Sequence, residues 1–137
     1  VVTMWHVLEH IQDLDRMWSE LYRILDDTGI AIIAVPNCRS YDARLYKEHW
    51  AAYDVPRHLW HFTGSTIMKW GERHGFILER KYTMPFDGFY ISLMSEKNKG
   101  SRMATIKGMW NGFKGWCAQS KRRGASSSII YVFRKRR

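Results

Sequence analysis

The sequence is poor in the residues that staple or span. Its 137 residues include two cysteines, Cys38 and Cys117, which cannot build a disulfide framework, and reduced thiols are the expectation, as in a cytoplasmic chain. Three prolines and ten glycines without a repeat exclude collagen-like and mucin-like chains. No apolar run reaches the ~18 residues of a spanning helix. The N-terminal stretch VVTMWHVLEH lacks the basic region and small-residue cleavage site of a signal peptide. It has no initiator Met and starts directly on apolar residues, so the chain is expected to begin inside an element of something longer. Acidic residues are missing altogether from residue 97 onward.

What is present is a globular balance. Apolar residues make up 45% and aromatics 15%, enough for one domain with a sizeable core, or a core and an adhesive face. The charge is split. Residues 1–96 hold ten basic and thirteen acidic side chains, whereas residues 97–137 hold twelve basic and none acidic, which gives the overall +9. Such asymmetry points to a partner or a surface rather than to a fold. The basic third, 97–123, interleaves Lys97, Lys99, Arg102, Lys107, Lys114, Lys121, Arg122 and Arg123 with Met103, Ile106, Trp110, Phe113 and Trp116. It reads as a solvated surface, as a phosphate-neutralising nucleic-acid face, or as an interfacial segment for anionic membrane. No RNA-binding fold or stacking motif accompanies the charge, so nucleic acid is the less favoured partner.

The periodicities alternate. Val1–Trp5 is a short buried strand. Asp13 caps a helix to about Leu25 with a stripe of Leu14, Trp18, Leu21, Tyr22 and Leu25, stopped by Thr28-Gly29. Ile30–Val35 is apolar at every position, as in a strand covered on both faces, and Pro36-Asn37 ends it. Residues 38–62 form a long aromatic connection, in which Trp50, Tyr53 and Trp60 read either as a lid over the acceptor pocket, the favoured of the two, or as the core of an enlarged loop. Thr63 or Ser65 caps a helix to about His74, Gly75 stops it, and Phe76–Tyr82 is a strand. Residues 84–96 fit no period. Residues 101–121 have helical spacing weakened by Gly108, Gly112 and Gly115. Ser128–Phe133 is a last strand, able to pair antiparallel with its predecessor at one sheet edge. The class is α/β.

Four stretches carry a family resemblance. Val1–Ile11, with Leu8-Glu9-His10, resembles the fourth strand and helix start of class I S-adenosylmethionine-dependent methyltransferases of the small-molecule type, akin to methyltransferase domain 23. Leu25–Asn37 is similar to their fifth-strand entry and Pro-Asn exit. Tyr53–Thr63 and Gly75-Phe76 match in the same order. The resemblance implies a Rossmann-like fold in which residues 1–137 are the C-terminal part of one domain, strands four to seven with their helices, carrying a basic, aromatic-rich insertion at about 84–126. The glycine-rich loop and acidic strand end that hold the cofactor in this family find no counterpart here, so these residues alone are expected to bind it weakly or not at all.

By the same resemblance the cofactor is S-adenosylmethionine, and Met4, Trp5 and His6 border it. Methyl transfer asks mainly for alignment and, for some acceptors, a base. His10 is the candidate base, with Glu9 to orient it. Tyr53, Arg57, His58 and His61 are candidate acceptor contacts, and the acceptor is a small or lipid-linked molecule. A ribosomal or transfer RNA methyltransferase and a non-catalytic basic binding module are the alternatives. The expected location is cytoplasmic, peripheral to the membrane if the basic segment engages lipid. His6 and His10 at i, i+4 have ligand spacing, but without a His-Glu-x-x-His motif or an evident third ligand no metal is expected.

Overall fold

The structure, a computed structural model, describes residues 1–121 and 123–136. Arg122, Arg137 and the side chain of Arg123, part of the basic set above, lie outside the described residues. Four strands form one sheet in the order β1-β2-β4-β3: β1 (Val2–Trp5), β2 (Ile30–Pro36), β3 (Phe76–Thr83) and β4 (Ser128–Lys135). β1 and β2 run parallel, with Met4 opposite Ile33. β4 runs antiparallel between β2 and β3, placing Tyr131 opposite both Ile33 and Lys81. The expected antiparallel pairing of the last two strands is present, and β4 is an inner strand because it also pairs with β2. Ala31, Ile33, Ala34 and Val35 are all buried, as a strand covered on both faces requires.

α1 (Leu14–Ile24) starts where Asp13 accepts the Arg16 amide at 2.9 Å. Leu14, Trp18, Leu21 and Leu25 are buried against the sheet. Tyr22 sits at the rim, 39% exposed, with the Lys135 ammonium 4.6 Å above its ring. Trp18 meets Phe76 and Phe133, with ring centroids 5.5 and 5.3 Å away. α3 (Gly64–Arg73) opens on a capping box between Thr63 and Thr66 and ends at Gly75, whose φ of +81° needs glycine.

The aromatic connection folds differently from the lid reading. α2 (Tyr41–Tyr46) and short 3-10 turns cover a second core of Ala43, Tyr46, Trp50 and Ala52. Trp50 is buried because its indole N–H donates to the buried Asp42 carboxylate at 2.9 Å, which also accepts Ser127 Oγ at 2.8 Å. Trp60 packs on the main core and donates to the Ile11 carbonyl at 2.7 Å. Tyr53 lies edge-on against Trp50. Trp50 is core and Tyr53 and Trp60 are partly buried against the two cores, so of the two readings the loop-core one holds and the favoured lid is corrected.

The expected insertion contains a helical hairpin, α4 (Asp87–Asn98) and α5 (Ala104–Lys121). Two of the three α5 glycines have a packing role that the sequence reading did not include. A Cβ on Gly108 would lie 2.6 Å from Leu93 Cα, and one on Gly112 2.8 Å from Phe89 Cα. Their absent side chains let the two backbones touch. At Gly115 the nearest atom would be 3.5 Å away, an ordinary contact. In denaturant titrations, Gly108→Ala is therefore expected to cost about 1–3 kcal/mol through overpacking. Gly115→Ala is expected to gain ~0.5–1 kcal/mol from helix propensity. Equal effects at the two sites would contradict the close crossing.

Candidate functional site

β1 delivers its last residues to the carboxyl edge of the sheet. The His6 amide donates to the Ala34 carbonyl at 3.0 Å, and His6 then turns the chain with φ +53°. A 3-10 turn, Leu8–His10, follows with Leu8 and Glu9 fully buried. Burying a carboxylate demands partners. His6 Nδ1 donates to Glu9 Oε1 at 3.2 Å, and His58 Nε2 faces the same oxygen at 4.0 Å. Glu9 Oε2 has no partner among the described residues. The Glu9 carbonyl accepts the amides of Leu59 and Trp60 at 2.8 and 3.3 Å. Thus the turn after β1 and the end of the aromatic connection are tied through one residue.

The tie borders a cavity of about 370 Å³ walled by His6, Pro36, Arg57, His58, Asp87 and Tyr90. The hydrogen bond to Glu9 raises the His6 pKa above its ordinary value, burial opposes this, and the nearby Asp87 adds to the rise. Arg57 is exposed and paired with Asp54 at 2.7 Å, a surface pair of small energetic weight. Asp87 is held by Ser128 Oγ.

The expected site residues divide. His6, Arg57 and His58 line the cavity. Glu9 and His10 are not among its walls: Glu9 bonds His6 rather than the His10 it was expected to orient, and His10 lies with its ring 4.6 Å from that of His58. Tyr53 and His61 pair with each other, His61 Nε2 donating to the Tyr53 carbonyl at 3.0 Å, and neither is a cavity wall. Met4 packs on the main core, and Trp5 is half exposed at the strand end. Asp87 and Tyr90 were missed. They come from the segment without a period, and only their acidic and aromatic character marked them.

The histidine tautomers matter here. His10 Nδ1 donates to the Arg57 carbonyl at 3.0 Å and His58 Nδ1 to the Ala52 carbonyl at 2.8 Å. A carbonyl only accepts, so both Nδ1 atoms carry hydrogen. Glu9, His10 and His58 each offer a ligand atom, all within 4.8 Å of one another. The pair weighed from sequence was His6 and His10; His58, distant in sequence, takes the place of His6.

A methyltransferase domain family model matches residues 1–81. No curated protein matches the chain. Solved structures do. A Haemonchus contortus phosphoethanolamine N-methyltransferase 2 is 17% identical with a TM-score of 0.53, covering 99% of this chain and 33% of its own. The cyclopropane synthase MmaA2 of Mycobacterium tuberculosis is 12% identical at 0.55, covering 97% and 54%. An S-adenosylmethionine-dependent methyltransferase of Mesorhizobium loti is 14% identical at 0.53, covering 97% and 60%. The chain thus spans a third to three fifths of the structures it resembles. It has the Rossmann-like α/β fold of class I methyltransferases, and it belongs to the methyltransferase domain family.

Proposed function

We propose that this chain is the acceptor-side part of an enzyme that transfers a methyl group from S-adenosylmethionine to a small-molecule or lipid-linked acceptor. The observation that carries this reading is the cavity at the carboxyl ends of β1 and β2, where open α/β sheets bind ligands, in a chain of this family. The residues present fit one wall of a cofactor site. β1 ends in a half-exposed Trp5 and the turn at His6, and the outer edge of β1 pairs with no described strand. Met4, Trp5 and His6 would border the cofactor. When bound, it supplies a methyl group activated on a sulfonium. The protein's part is to orient the acceptor between Arg57, His58 and Tyr90, keep water out, and accept a proton where the acceptor must lose one. His10 Nε2 is free to do so, since Nδ1 holds the hydrogen, and Glu9 anchors the cluster. A small polar acceptor is supported by the Haemonchus contortus neighbour, which is known with phosphomonomethylethanolamine and S-adenosylhomocysteine.

Calorimetric titration of S-adenosylhomocysteine into this chain, and into the chain extended upstream, tests the reading. Binding is expected only, or far more tightly, in the extended form, and His10→Ala there is expected to lower turnover without loosening the cofactor. No binding by either form would overturn the enzyme assignment.

A metal-assisted variant is favoured by one observation. His58 Nε2 and Glu9 Oε1, both acceptors when Nδ1 carries the imidazole hydrogen, face each other across 4.0 Å beside an unpartnered carboxylate oxygen. A divalent cation would satisfy Glu9, His10 and His58 together, with both Nδ1–H groups already anchored to carbonyls as ligating histidines require. Manganese or zinc at a hundred times its dissociation constant is then expected to stabilise the fold by about 2.7 kcal/mol. The exposed His10→Ala should lose that stabilisation. An unchanged melting temperature in the unaltered chain would remove the metal.

The basic segment fits an anionic membrane. On α5 Ile106, Trp110, Phe113 and Trp116 are 42–65% exposed, among Lys107 and Lys114, with the Lys114 ammonium 5.4 Å above the Trp110 ring. Aromatic groups beside lysines are what an interfacial face needs. No helix among the described residues is long and apolar enough to cross a membrane. Co-sedimentation with phosphatidylserine vesicles is expected, and the Trp110→Ala, Phe113→Ala double variant should weaken it severalfold. Retention on RNA without vesicle binding would move the partner to nucleic acid.

A further inference from the structure

A second cavity, of about 410 Å³, opens on the other side of β2, between the start of α3, the end of β3 and the start of β4. Its walls include Arg39, Thr63, Gly64, Ser65, Lys81 and Tyr131, and no acidic residue lines it. The first cavity, by contrast, contains Asp54 and Asp87. The two cations are exposed, and neither makes an ion pair with a described residue. Between them the first turn of α3 presents backbone N–H groups that no helical carbonyl can take, at the positive end of its dipole.

An independent feature marks the same spot. Tyr131 is 1% exposed, yet it is a wall of this cavity. Its hydroxyl lies 3.5 Å, and the Lys81 ammonium 4.0 Å, from the point where a Cβ on Gly64 would sit. The hydroxyl faces the cavity and takes part in none of the side-chain hydrogen bonds among the described residues, and Lys81 stands 5.9 Å from the ring centroid. Burial holds the Tyr131 pKa above its ordinary value, so the group is a donor throughout the physiological range. The ring is buried while the hydroxyl opens on the cavity, where it is free to donate to an occupant. The absent side chain of Gly64 keeps that space open beside the helix start.

We propose that this cavity is a binding site for a phosphate monoester, separate from the acceptor cavity. Arg39 and Lys81 would balance the dianion, the Gly64 and Ser65 amides and the Ser65 hydroxyl would donate to its oxygens, and the Tyr131 hydroxyl would close the inner side. Two cations with several convergent donors match three terminal oxygens better than the two of a carboxylate. The volume leaves room for a small organic group behind the phosphate. The inference stands on this cavity alone and does not depend on the methyltransferase reading.

The test is calorimetric titration of inorganic phosphate and of glycerol phosphate into the protein at its natural length, with sedimentation on phosphatidate-containing vesicles as a third arm. Saturable binding of a soluble probe is expected. Lys81→Ala should weaken it at least tenfold, the range for losing a charge-assisted hydrogen bond. Tyr131→Phe, which keeps the ring and the packing, should weaken it severalfold, and Arg23→Ala on the exposed face of α1 should leave it unchanged. If only the vesicles bind, and Lys81→Ala and Tyr131→Phe abolish that binding, the phosphate belongs to a lipid headgroup. No binding of any probe would overturn the site, as would binding that Lys81→Ala and Tyr131→Phe leave intact.

Discussion

A fully buried carboxylate is the constraint on which this structure turns. Glu9 has no exposure to water, and such a group is tolerable only with donors or cations around it. His6 supplies one donor and the His58 imidazole crowds the same oxygen. The Glu9 backbone does equal service by accepting two amides from residues 59 and 60. Side chain and main chain together dock the end of the aromatic connection against the exit of β1. Trp60 then reaches Ile11, and His10 reaches the Arg57 carbonyl. Removing Glu9 would therefore loosen the connection, the cavity wall and the histidine cluster at once.

The sheet explains why two cavities lie so near each other and yet differ in charge. β4 enters antiparallel between β2 and β3, so its first residues sit at the carboxyl ends of its neighbours. Ser127 and Ser128 there hold the acids, Asp42 and Asp87. Tyr131, farther along, faces the start of α3 and Lys81. One side of β2 thus gathers histidines and carboxylates, and the other gathers cations and hydroxyls. Chemistry that moves a proton suits the first, and anion recognition suits the second.

The frame was legible because its signals are local. Asp13, Thr63 and Gly75 mark helix ends through hydrogen bonds and a positive φ within a few residues. The unbroken apolar run 30–35 marks an inner strand by composition. The candidate site was half legible. His6, Glu9 and His10 lie within five residues of one another, and the motif they sit in points to them. His58 joins Glu9 and His10 only through the long connection, whose path depends on tertiary contacts that no period records. Trp50 could not be decided from the sequence because an exposed lid and a second core ask for the same residue type; Asp42, its buried partner, decides between them. The packing role of the α5 glycines was missed because propensity belongs to an isolated helix, whereas Gly108 and Gly112 act through a neighbouring one.

That close helical crossing links the surface to the site. Because α5 presses its small residues onto α4, its large apolar ones, Ile106, Trp110 and Phe113, are turned outward. α4 in turn carries Asp87 and Tyr90 into the wall of the cavity beside His6 and His58. A 62% exposed Tyr90 thus belongs to both the cavity rim and the outer surface. The same hairpin therefore presents an exposed basic, aromatic face and forms one lip of the pocket. If that face lies on a bilayer, an acceptor with an apolar tail can enter past Tyr90 with its tail still partly shielded from water, which lowers the desolvation cost of leaving the membrane. A hairpin packed through larger residues would separate its helices and widen this lip. In this view the glycines serve the shape of the entrance as much as the stability of the hairpin.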